Sequence, residues 1–288
     1  MSFAQRRHTS RDEIADPGLH PLDRLLAERR PIVMGVLNLT PDSFSDGGRF
    51  EDPASALAHA QRMIAEGADI IDVGGESSRP YVGARRVSAD GELARVMPVL
   101  PRIVALGVPV SIDTMKAAVA ARALGAGAVI VNDVWGLQRD PDMAGVVAAH
   151  RVPVVVTHNR DAVDPAIDIL ADIEAFFSRS LAIAERAGIA RNRIVLDPGI
   201  GFGKTPEQSL AAIAGIGRLR AFGLPVLVGL SRKRFINAIV PSAPQDRLAG
   251  SIAGNVLAVL EGAAIVRVHD VAETVQALRV AAAIRAAR

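Results

Sequence analysis

The sequence predicts an α/β fold: a single-domain (β/α)8 TIM barrel over residues 31–288, preceded by a short polar arm of residues 1–30. The chain has 288 residues, which fits one barrel of this kind, since such barrels commonly have about 250 residues. From Pro31 onward, short apolar runs alternate with alanine-rich stretches, and seven of the runs end in or lead to polar residues. Together these observations predict a barrel with one site at the carboxyl ends of its strands.

The apolar runs are short and rich in Val and Ile, which is typical of buried parallel strands. The stretches between them carry apolar residues at helical spacing, as in Ile173, Phe176, Phe177 and Leu181. Eight such units fit a closed barrel better than an open doubly wound sheet, which remains the structural alternative. The runs cover residues 32–37, 69–73, 109–112, 128–131, 153–156, 193–196, 225–228 and 264–268.

The arm of residues 1–30 is polar and contains a short predicted helix near residues 22–28, which we expect to lie outside the barrel. Arg6 and Arg7 resemble the start of an export signal, but the residues after them are polar and form no apolar stretch of signal length. No run of about 18 apolar residues occurs anywhere. We therefore expect a cytoplasmic protein with no membrane partner.

Composition excludes several classes of function. The chain has no cysteine, which rules out disulfides, thiolate zinc sites and a cysteine nucleophile. Its net charge is +2 and its aromatic content is 3%, so the stacking platform of a single-strand nucleic-acid binder is missing. We expect small-molecule substrates and no nucleic-acid partner.

Polar residues at the ends of the apolar runs predict one convergent site. In a barrel, binding and catalytic groups gather at the C-terminal face, one or two from each strand. One such residue alone is more often a turn former or a helix cap, but capping does not explain seven runs with mixed carboxylates, carboxamides and cations. The residues are Asn38, Asp72, Asp113, Asn132, Asp197, the group Ser231, Arg232 and Lys233, and finally Arg267 and His269.

Glycine-bearing loops follow the first two runs. Residues 34–48 suit a mobile lid that brings Asp42, Ser43, Phe44 and Asp46 over a substrate, although a surface loop would have the same composition. Residues 72–80 combine glycines, hydroxyls and Arg79, a set that suits an oxyanion such as pyrophosphate. The two loops predict a site that closes over a phosphate-bearing substrate.

Two further segments fail the tests for common catalytic motifs. The glycines of residues 197–204 fall at positions 199, 201 and 203, which fits neither a P-loop nor G-x-G-x-x-G. Residues 229–233 lack the closing glycine of a nucleophile elbow, which disfavours a serine hydrolase.

Seven segments, in order, resemble those of the dihydropteroate synthases: MGVLNLTPDSFSDGG, DVGGESSRP, SIDTMK, NDVWG, DPGIGFGK, GLSRKRFI and RVHD. The segments fall between residues 34 and 270, and the resemblance extends from about residue 31 to residue 285. The ordered set is highly specific although each member alone is weak. The resemblance implies a barrel enzyme of folate biosynthesis. Such an enzyme is a homodimer that joins 6-hydroxymethyl-7,8-dihydropterin pyrophosphate to p-aminobenzoate, with Mg²⁺ as cofactor.

The resemblance also implies roles for individual residues. Asn38 would be the Mg²⁺ ligand, and Asp46 would stabilise the cation that develops on the pterin. Phe44, Pro80 and Lys233 would surround the aminobenzoate, while Ser78, Arg79, Arg267 and His269 would hold the pyrophosphate. The pterin contacts would come from Asp72, Asp113, Asn132, Asp197, Phe202, Lys233 and Arg267. The groups expected to act in catalysis are Asn38, Asp46, Lys233, Arg267 and His269.

Some positions depart from the family pattern. Ser78 stands where threonine is usual, Tyr81 and Val82 replace Gly-Ala, and residues 157–159 read Thr-His-Asn in place of Met-His-Met. Three other functions stay open: a non-catalytic pterin-binding paralogue, the pterin-binding half of a corrinoid methyltransferase, and a purely structural barrel. The methyltransferase leaves the Thr-Pro-Asp-Ser-Phe-Ser loop unexplained, because a folate methyl donor has no pyrophosphate.

Three remaining polar residues have structural interpretations. His158 follows the fifth run without an H-x-H neighbour, which favours a hydrogen-bonded structural role over metal ligation. Lys116 opens a helix and is expected at the surface. His20 lies in the arm and is expected to be solvated.

Overall fold

The computed structural model describes residues 19–40, 52–76 and 87–287. These residues form eight parallel strands. The strands are β1 (Ile32–Asn38), β2 (Ile70–Gly74), β3 (Val110–Asp113), β4 (Ile130–Asp133), β5 (Val154–Thr157), β6 (Ile194–Asp197), β7 (Leu227–Val228) and β8 (Ile265–Val268). The helices are α1 (Pro21–Ala27), α2 (Pro53–Ala65), α3 (Ala89–Val96), α4 (Leu100–Val104), α5 (Ala117–Gly125), α6 (Met143–His150), α7 (Ile169–Arg186), α8 (Pro206–Ala214), α9 (Arg234–Ile239), α10 (Leu248–Leu260) and α11 (Val271–Ala286).

The strands close into a barrel. Their order is β6-β5-β4-β3-β2-β1-β8-β7, and a parallel bridge between Leu196 and Val226 joins β6 to the segment that leads into β7. The two edges of the sheet therefore meet, which confirms the predicted (β/α)8 barrel and removes the open doubly wound sheet.

Local sequence signals fix where several helices begin and end. The side chain of Asp168 accepts hydrogen bonds at the start of α7, and Thr205 and Gln208 form a capping box at the start of α8. The helical spacing of apolar residues in the sequence predicts one helix over residues 92–106 and another over residues 208–222. In place of the first, the structure has α3 and α4, separated at Pro98, which lacks the N–H that a helix interior requires. Similarly, the predicted helix over residues 208–222 ends at Gly215 and continues as a 3-10 helix, Ile216–Phe222.

Two apolar cores pack against the strands, one outside the barrel and one inside it. The larger core lies between the outer faces of the strands and the helices. The smaller core fills the lower half of the barrel interior with one or two side chains from most strands: Ile32, Met34, Ile70, Ile130, Val155, Val195, Leu227 and Ile265. Within the described residues, the barrel is thus filled at its N-terminal end, which leaves the C-terminal end for a ligand.

Helix α1 closes this N-terminal end. Leu22 is buried among the interior side chains of the smaller core, with Leu25 and Leu26 packed against it. Asp23 accepts a hydrogen bond from Arg193 at 2.6 Å, and the His20 ring lies 3.0 Å from the carbonyl of Val129. The expectations that this helix lies outside the barrel and that His20 is solvated were therefore wrong, because a leucine that covers the open floor of the barrel is removed from water.

Within residues 19–40, 52–76 and 87–287, no helix combines the length and the apolar character that a bilayer crossing requires.

Candidate active site at the carboxyl ends of the strands

The alternation of side chains along the strands builds the site. Because successive residues of a strand point to opposite faces, a step of two residues moves one layer up the barrel interior. From the apolar floor this step leads to a polar layer on five strands and, directly after β7, to Gly229, where a Cβ would stand 3.8 Å from Lys233 Nζ and 3.9 Å from Arg267 Cβ. The polar layer consists of Asp72, Asn132, Thr157, Asp197 and Arg267.

Strand register adds the residues at the mouth of this layer. Asn38 pairs with Gly74, Gly74 with Asp113, and Asp113 with Asn132 across neighbouring strands. A side chain at Gly74 would meet both Asp113 Oδ2 at 3.5 Å and Asn38 Oδ1 at 3.7 Å. The glycine therefore allows the carboxylate and the carboxamide to approach the same space.

Arg267 crosses the barrel interior. Its Nε donates to Asp72 Oδ2 at 2.5 Å, and one terminal nitrogen donates to Asp113 Oδ2 at 2.6 Å. Asn132 donates to the same oxygen of Asp72 at 3.0 Å. One guanidinium thus balances two buried carboxylates from two strands.

Burial perturbs the acids of this layer. It raises the pKa of Asp113 to about 7, although the Arg267 guanidinium acts in the opposite direction. Burial also raises the pKa of Asp197, opposed by Lys233 and by a hydrogen bond from the backbone N–H of Gly199 at 2.7 Å. Carboxyl groups with perturbed pKa values that converge at one end of a barrel are typical of binding and catalytic sites.

Lys233 and Phe202 form one wall. Lys233 directly precedes α9, and its Nζ donates to the carbonyl oxygen of Ile200. The same Nζ lies 4.6 Å from the centre of the Phe202 ring, within the range of a cation–π contact. The loop after β6 and the loop after β7 therefore meet, and both predicted substrate-binding residues stand where they meet.

A second buried lysine supports the loop after β6. The Lys204 Nζ lies 2.6 Å from His158 Nδ1, 2.8 Å from the carbonyl oxygen of Gly199 and 3.2 Å from that of Phe202. His158 is fully buried, and its Nε2 lies 3.0 Å from Asp172 on α7. The predicted structural role of His158 is confirmed, whereas the network around Lys204 was not predicted.

Lys116 is not the surface residue that the sequence predicted. Its Nζ donates to Glu76 and to Glu92, both at 2.5 Å, and Glu92 is fully buried. Glu76 also accepts a hydrogen bond from the backbone N–H of Val87 at 2.9 Å. Lys116 is held away from the surface because carboxylates from two other segments pair with its ammonium group. The sequence around Lys116 does not show these contacts.

His269 and its neighbours lie beside the mouth. The backbone N–H of His269 donates to Ser231 Oγ at 3.2 Å, and its Nδ1 lies 3.0 Å from the same oxygen. Arg232 donates from two nitrogens to Asp270, at 3.1 and 2.5 Å. These contacts join the loops after β7 and β8, so Ser231, Arg232 and His269 occupy one side of the predicted site.

Several predicted residues lie outside the described ranges. They are Asp42, Ser43, Phe44 and Asp46 from the first loop, and Ser78, Arg79, Pro80, Tyr81 and Val82 from the second. Their assigned roles stay predictions. The predicted residues that the structure describes, from Asn38 on β1 to His269 after β8, lie around the C-terminal end of one barrel.

The sole tryptophan lies away from the polar layer. Trp135 lines a groove of about 430 Å³ beside the loop after β5, together with Arg139, Asn159 and Arg160. The guanidinium of Arg139 lies 4.5 Å from the centre of the Trp135 ring. None of the polar-layer residues lines this groove.

The sequence and the fold match one family of known proteins. The family model "Pterin binding enzyme" matches residues 34–269. The dihydropteroate synthase of Bacillus subtilis is 49% identical over 245 residues, which covers 85% of each chain.

Two solved structures extend the likeness to the fold. The dihydropteroate synthase of Clostridium difficile, crystallised in the presence of pteroic acid, has a TM-score of 0.84 at 46% identity, covering 89% of this chain and 97% of its own. The Xanthomonas albilineans enzyme with 4-aminobenzoic acid has a TM-score of 0.84 at 46% identity, covering 89% of this chain and 94% of its own. The chain therefore belongs to the dihydropteroate synthases, within the family of pterin-binding enzymes.

Proposed function

We propose that this barrel condenses 6-hydroxymethyl-7,8-dihydropterin pyrophosphate with p-aminobenzoate to give 7,8-dihydropteroate and pyrophosphate. One observation of the structure supports this most directly. Two buried acceptor atoms of the polar layer, Asp72 Oδ1 and Asn132 Oδ1, have no donor among the described residues. Buried acceptors are rarely left without donors in a folded protein, and the pyrimidine side of a pterin ring offers several N–H groups.

The remaining groups of the layer suit the same ring. Ionised Asp113 and Asp197 can only accept hydrogen bonds, so they select a ligand edge rich in donors. Lys233 can donate to the ring acceptors, and the planar guanidinium of Arg267 offers a surface for stacking. The related structures with pteroic acid and 4-aminobenzoic acid support the assignment of both substrates.

The proposed chemistry needs no protein nucleophile. The C–O bond between the pterin methylene and pyrophosphate breaks, and pyrophosphate departs with the electron pair. The amine of p-aminobenzoate attacks the resulting cation, forms the C–N bond and loses a proton. The protein stabilises the leaving anion and keeps water from the cation, for which the closed floor beneath the polar layer is suited.

We propose Mg²⁺ as the cofactor, held mainly by the substrate. Among the described residues, no group of three or more histidine or acidic side chains is placed to hold a metal ion. Asn38 offers a single carboxamide oxygen at the mouth, and Mg²⁺ commonly binds through one or two protein oxygens with waters and substrate phosphates. When bound, the ion would offset the charge of the pyrophosphate. We expect Mg²⁺ affinity to rise strongly when inorganic pyrophosphate is added.

The direct test is pyrophosphate release by the purified protein, given the pterin pyrophosphate and Mg²⁺, with and without p-aminobenzoate. Formation of 7,8-dihydropteroate supports the proposal. The Asn38→Ala variant should fold but lose Mg²⁺-dependent release, and unchanged turnover would contradict the role of Asn38. Binding of the pterin without condensation would instead favour the non-catalytic paralogue.

We also propose a homodimer formed through the helices near the C-terminus. Exposed apolar side chains occur on α8, α10 and α11, and α10 packs against α11: Leu210, Leu257, Leu260, Val280 and Ile284 are each at least 40% exposed. A cluster of this kind marks an interaction surface. The Leu257→Asp and Val280→Asp double variant should sediment as a monomer. The control is Val163→Asp, at an equally exposed site between β5 and α7, and dissociation by the control would argue against this face.

We propose a cytoplasmic location. The proposed substrates are water-soluble metabolites. Fractionation of cells expressing the chain tests this, and recovery in the membrane pellet would contradict it.

A further inference from the structure

A buried lysine that the proposed chemistry does not use lies behind the turn after β6. Only 6% of Lys204 is exposed, and its ammonium group contacts the carbonyl oxygens of Gly199 and Phe202. On the other side of the same turn, Lys233 donates to the carbonyl oxygen of Ile200. Two ammonium groups therefore hold three carbonyls of one turn.

Lys204 and Asp172 together define the protonation of the His158 ring that lies between them. His158 Nδ1 lies 2.6 Å from the ammonium and can only accept from it, so the ring proton stays on Nε2 and is donated to Asp172 at 3.0 Å. Burial and the neighbouring Lys204 lower the pKa of His158 to about 3, which keeps the ring neutral. Asp172 is balanced by Arg160, whose Nη1 donates to it at 2.8 Å. The histidine thus links the lysine to α7 without adding charge.

The turn after β6 has a backbone conformation that suits glycine, and it packs closely against the end of β5. Gly199, Gly201 and Gly203 have φ values of 64°, 82° and 57°, in the left-handed region. A Cβ at Gly199 would stand 1.8 Å from the carbonyl oxygen of His158. The turn is therefore pressed against the end of β5, with its carbonyls directed at the two lysines.

We propose that Lys204 is a positioning residue of the pterin pocket: its ammonium fastens the Gly199–Phe202 turn and acts as an internal counter-cation for Asp197. This inference rests on the proposed pterin-binding function. Asp197 lies two residues before Gly199 and accepts its backbone N–H, and Phe202, at the far end of the turn, meets Lys233. Loss of the ammonium would release both the carboxylate and the ring that line the pocket.

Ligand binding should stabilise the protonated form of Lys204. A pterin over Asp197 removes the remaining water from the carboxylate, which makes a nearby positive charge more valuable. In the free protein, burial lowers the pKa of Lys204 to about 7, against the attraction of Asp197 and Asp172 and assisted by the repulsion of Lys233 and Arg160. The ligand should therefore raise the pKa of Lys204, and by linkage it should bind the protonated form more tightly.

The chain offers an unusually direct test, because it contains three lysines, Lys116, Lys204 and Lys233. Isotope-labelled lysine side chains can be followed by NMR through a pH titration, with each signal assigned by substitution. In the wild-type protein, we expect the Lys204 signal to titrate near neutrality and to shift upward by about one pH unit when pteroic acid is added, which equals about tenfold tighter binding to the protonated form. An unchanged titration of Lys204 in the presence of bound pteroic acid overturns the inference.

Binding to variants gives the second readout. Lys204→Met should weaken pteroic acid binding by on the order of 30-fold, as expected when one member of a buried charged group is truncated. It should also remove the loss of affinity that the wild type shows above pH 7. The matched variant Asp172→Asn leaves the lysine contacts to the turn intact and should weaken binding by no more than about threefold.

The outcomes separate the two proposals. Failure of the wild type to bind pteroic acid at any pH overturns the pterin-binding function and this inference with it. Binding to Lys204→Met as tight as to the wild type overturns the inference alone. If Lys204→Met does not fold, the titration of the wild-type protein still decides.

Discussion

Replacing Arg267 by methionine tests whether one guanidinium holds two buried carboxylates. The substitution removes the 2.5 Å contact to Asp72 and the 2.6 Å contact to Asp113, both on largely buried acids. Asp72 would keep the Asn132 amide as its remaining partner. Removal of one partner from a buried ion pair destabilises a protein by about 3–5 kcal/mol. We therefore expect the free energy of unfolding to fall by at least about 3 kcal/mol at pH 6.5.

The loss should grow with pH. In the wild type, the native pKa of Asp113 is about 7, above that of the unfolded chain, and without the guanidinium it should rise further. Above pH 7 the native variant then keeps a proton that the unfolded chain has released, so its stability falls as pH rises, by about 1.4 kcal/mol per unit. Between pH 7 and pH 8.5 this adds about 2 kcal/mol to the loss.

Equilibrium unfolding in guanidinium chloride at pH 6.5 and pH 8.5 measures both quantities. The matched control is Arg30→Met, which removes a two-nitrogen contact to the buried Asp69 at the opposite end of the barrel. Asp69 keeps the backbone N–H of Val33 at 2.9 Å, and the loss of the half-exposed Arg30 opens it to water. For Arg30→Met we therefore expect about half the loss in the free energy of unfolding that Arg267→Met shows, and we expect this loss to be the same at both pH values. Equal losses for both variants would refute the reasoning.

Three shorter predictions concern the same site and its supports. Asp113→Asn should bind pteroic acid weakly, with an affinity that does not change between pH 5.5 and pH 7. The wild type should lose affinity as pH falls below 7, because protonation removes an acceptor, and calorimetric titration from pH 5.5 to pH 7 decides between these profiles. Lys116→Met should lower the free energy of unfolding by about 3 kcal/mol, measured in urea, because it leaves the buried Glu92 unpaired. Gly199→Ala should melt far lower than Gly188→Ala in calorimetry: both glycines have positive φ, but only position 199 lacks space for a Cβ.

The predictions for Lys116→Met and Gly199→Ala each have a control variant. The exposed pair Arg62 and Glu66, 4.0 Å apart, should contribute less than about 0.5 kcal/mol when Arg62 is replaced by methionine. A loss for Lys116→Met no larger than this would mean that the ion pairs of Lys116 are solvated. A Gly199→Ala variant that melts with Gly188→Ala would show that the turn can move away from β5.

The barrel and the polar layer could be predicted because both follow from periodicity. Parallel strands place every second residue on the inside, so an apolar residue followed two positions later by an acid or amide signals a floor and a site above it. Ile70 with Asp72 and Ile130 with Asn132 are two such pairs. The family resemblance then named the roles that periodicity alone left open.

The supports of the site could not be predicted because they depend on contacts between distant segments. Lys116 meets Glu76, 40 residues away, and Lys204 meets His158, 46 residues away. Neither pair has a spacing that marks it in the sequence. The same holds for Leu22, whose burial depends on an opening in the barrel floor that only the closed sheet creates.

The plugged floor has a consequence for joining this chain to other proteins. The chain enters α1 beneath the barrel, and α11 also descends to that level, since Val275 lies 3.4 Å from where a Cβ on Gly67, just before β2, would stand. A fusion partner or tether attached at the first turn of α1 or the last turn of α11 would therefore project from the side opposite the ligand entrance. The enzyme could be immobilised on a surface through either of these helices with its entrance facing the solution.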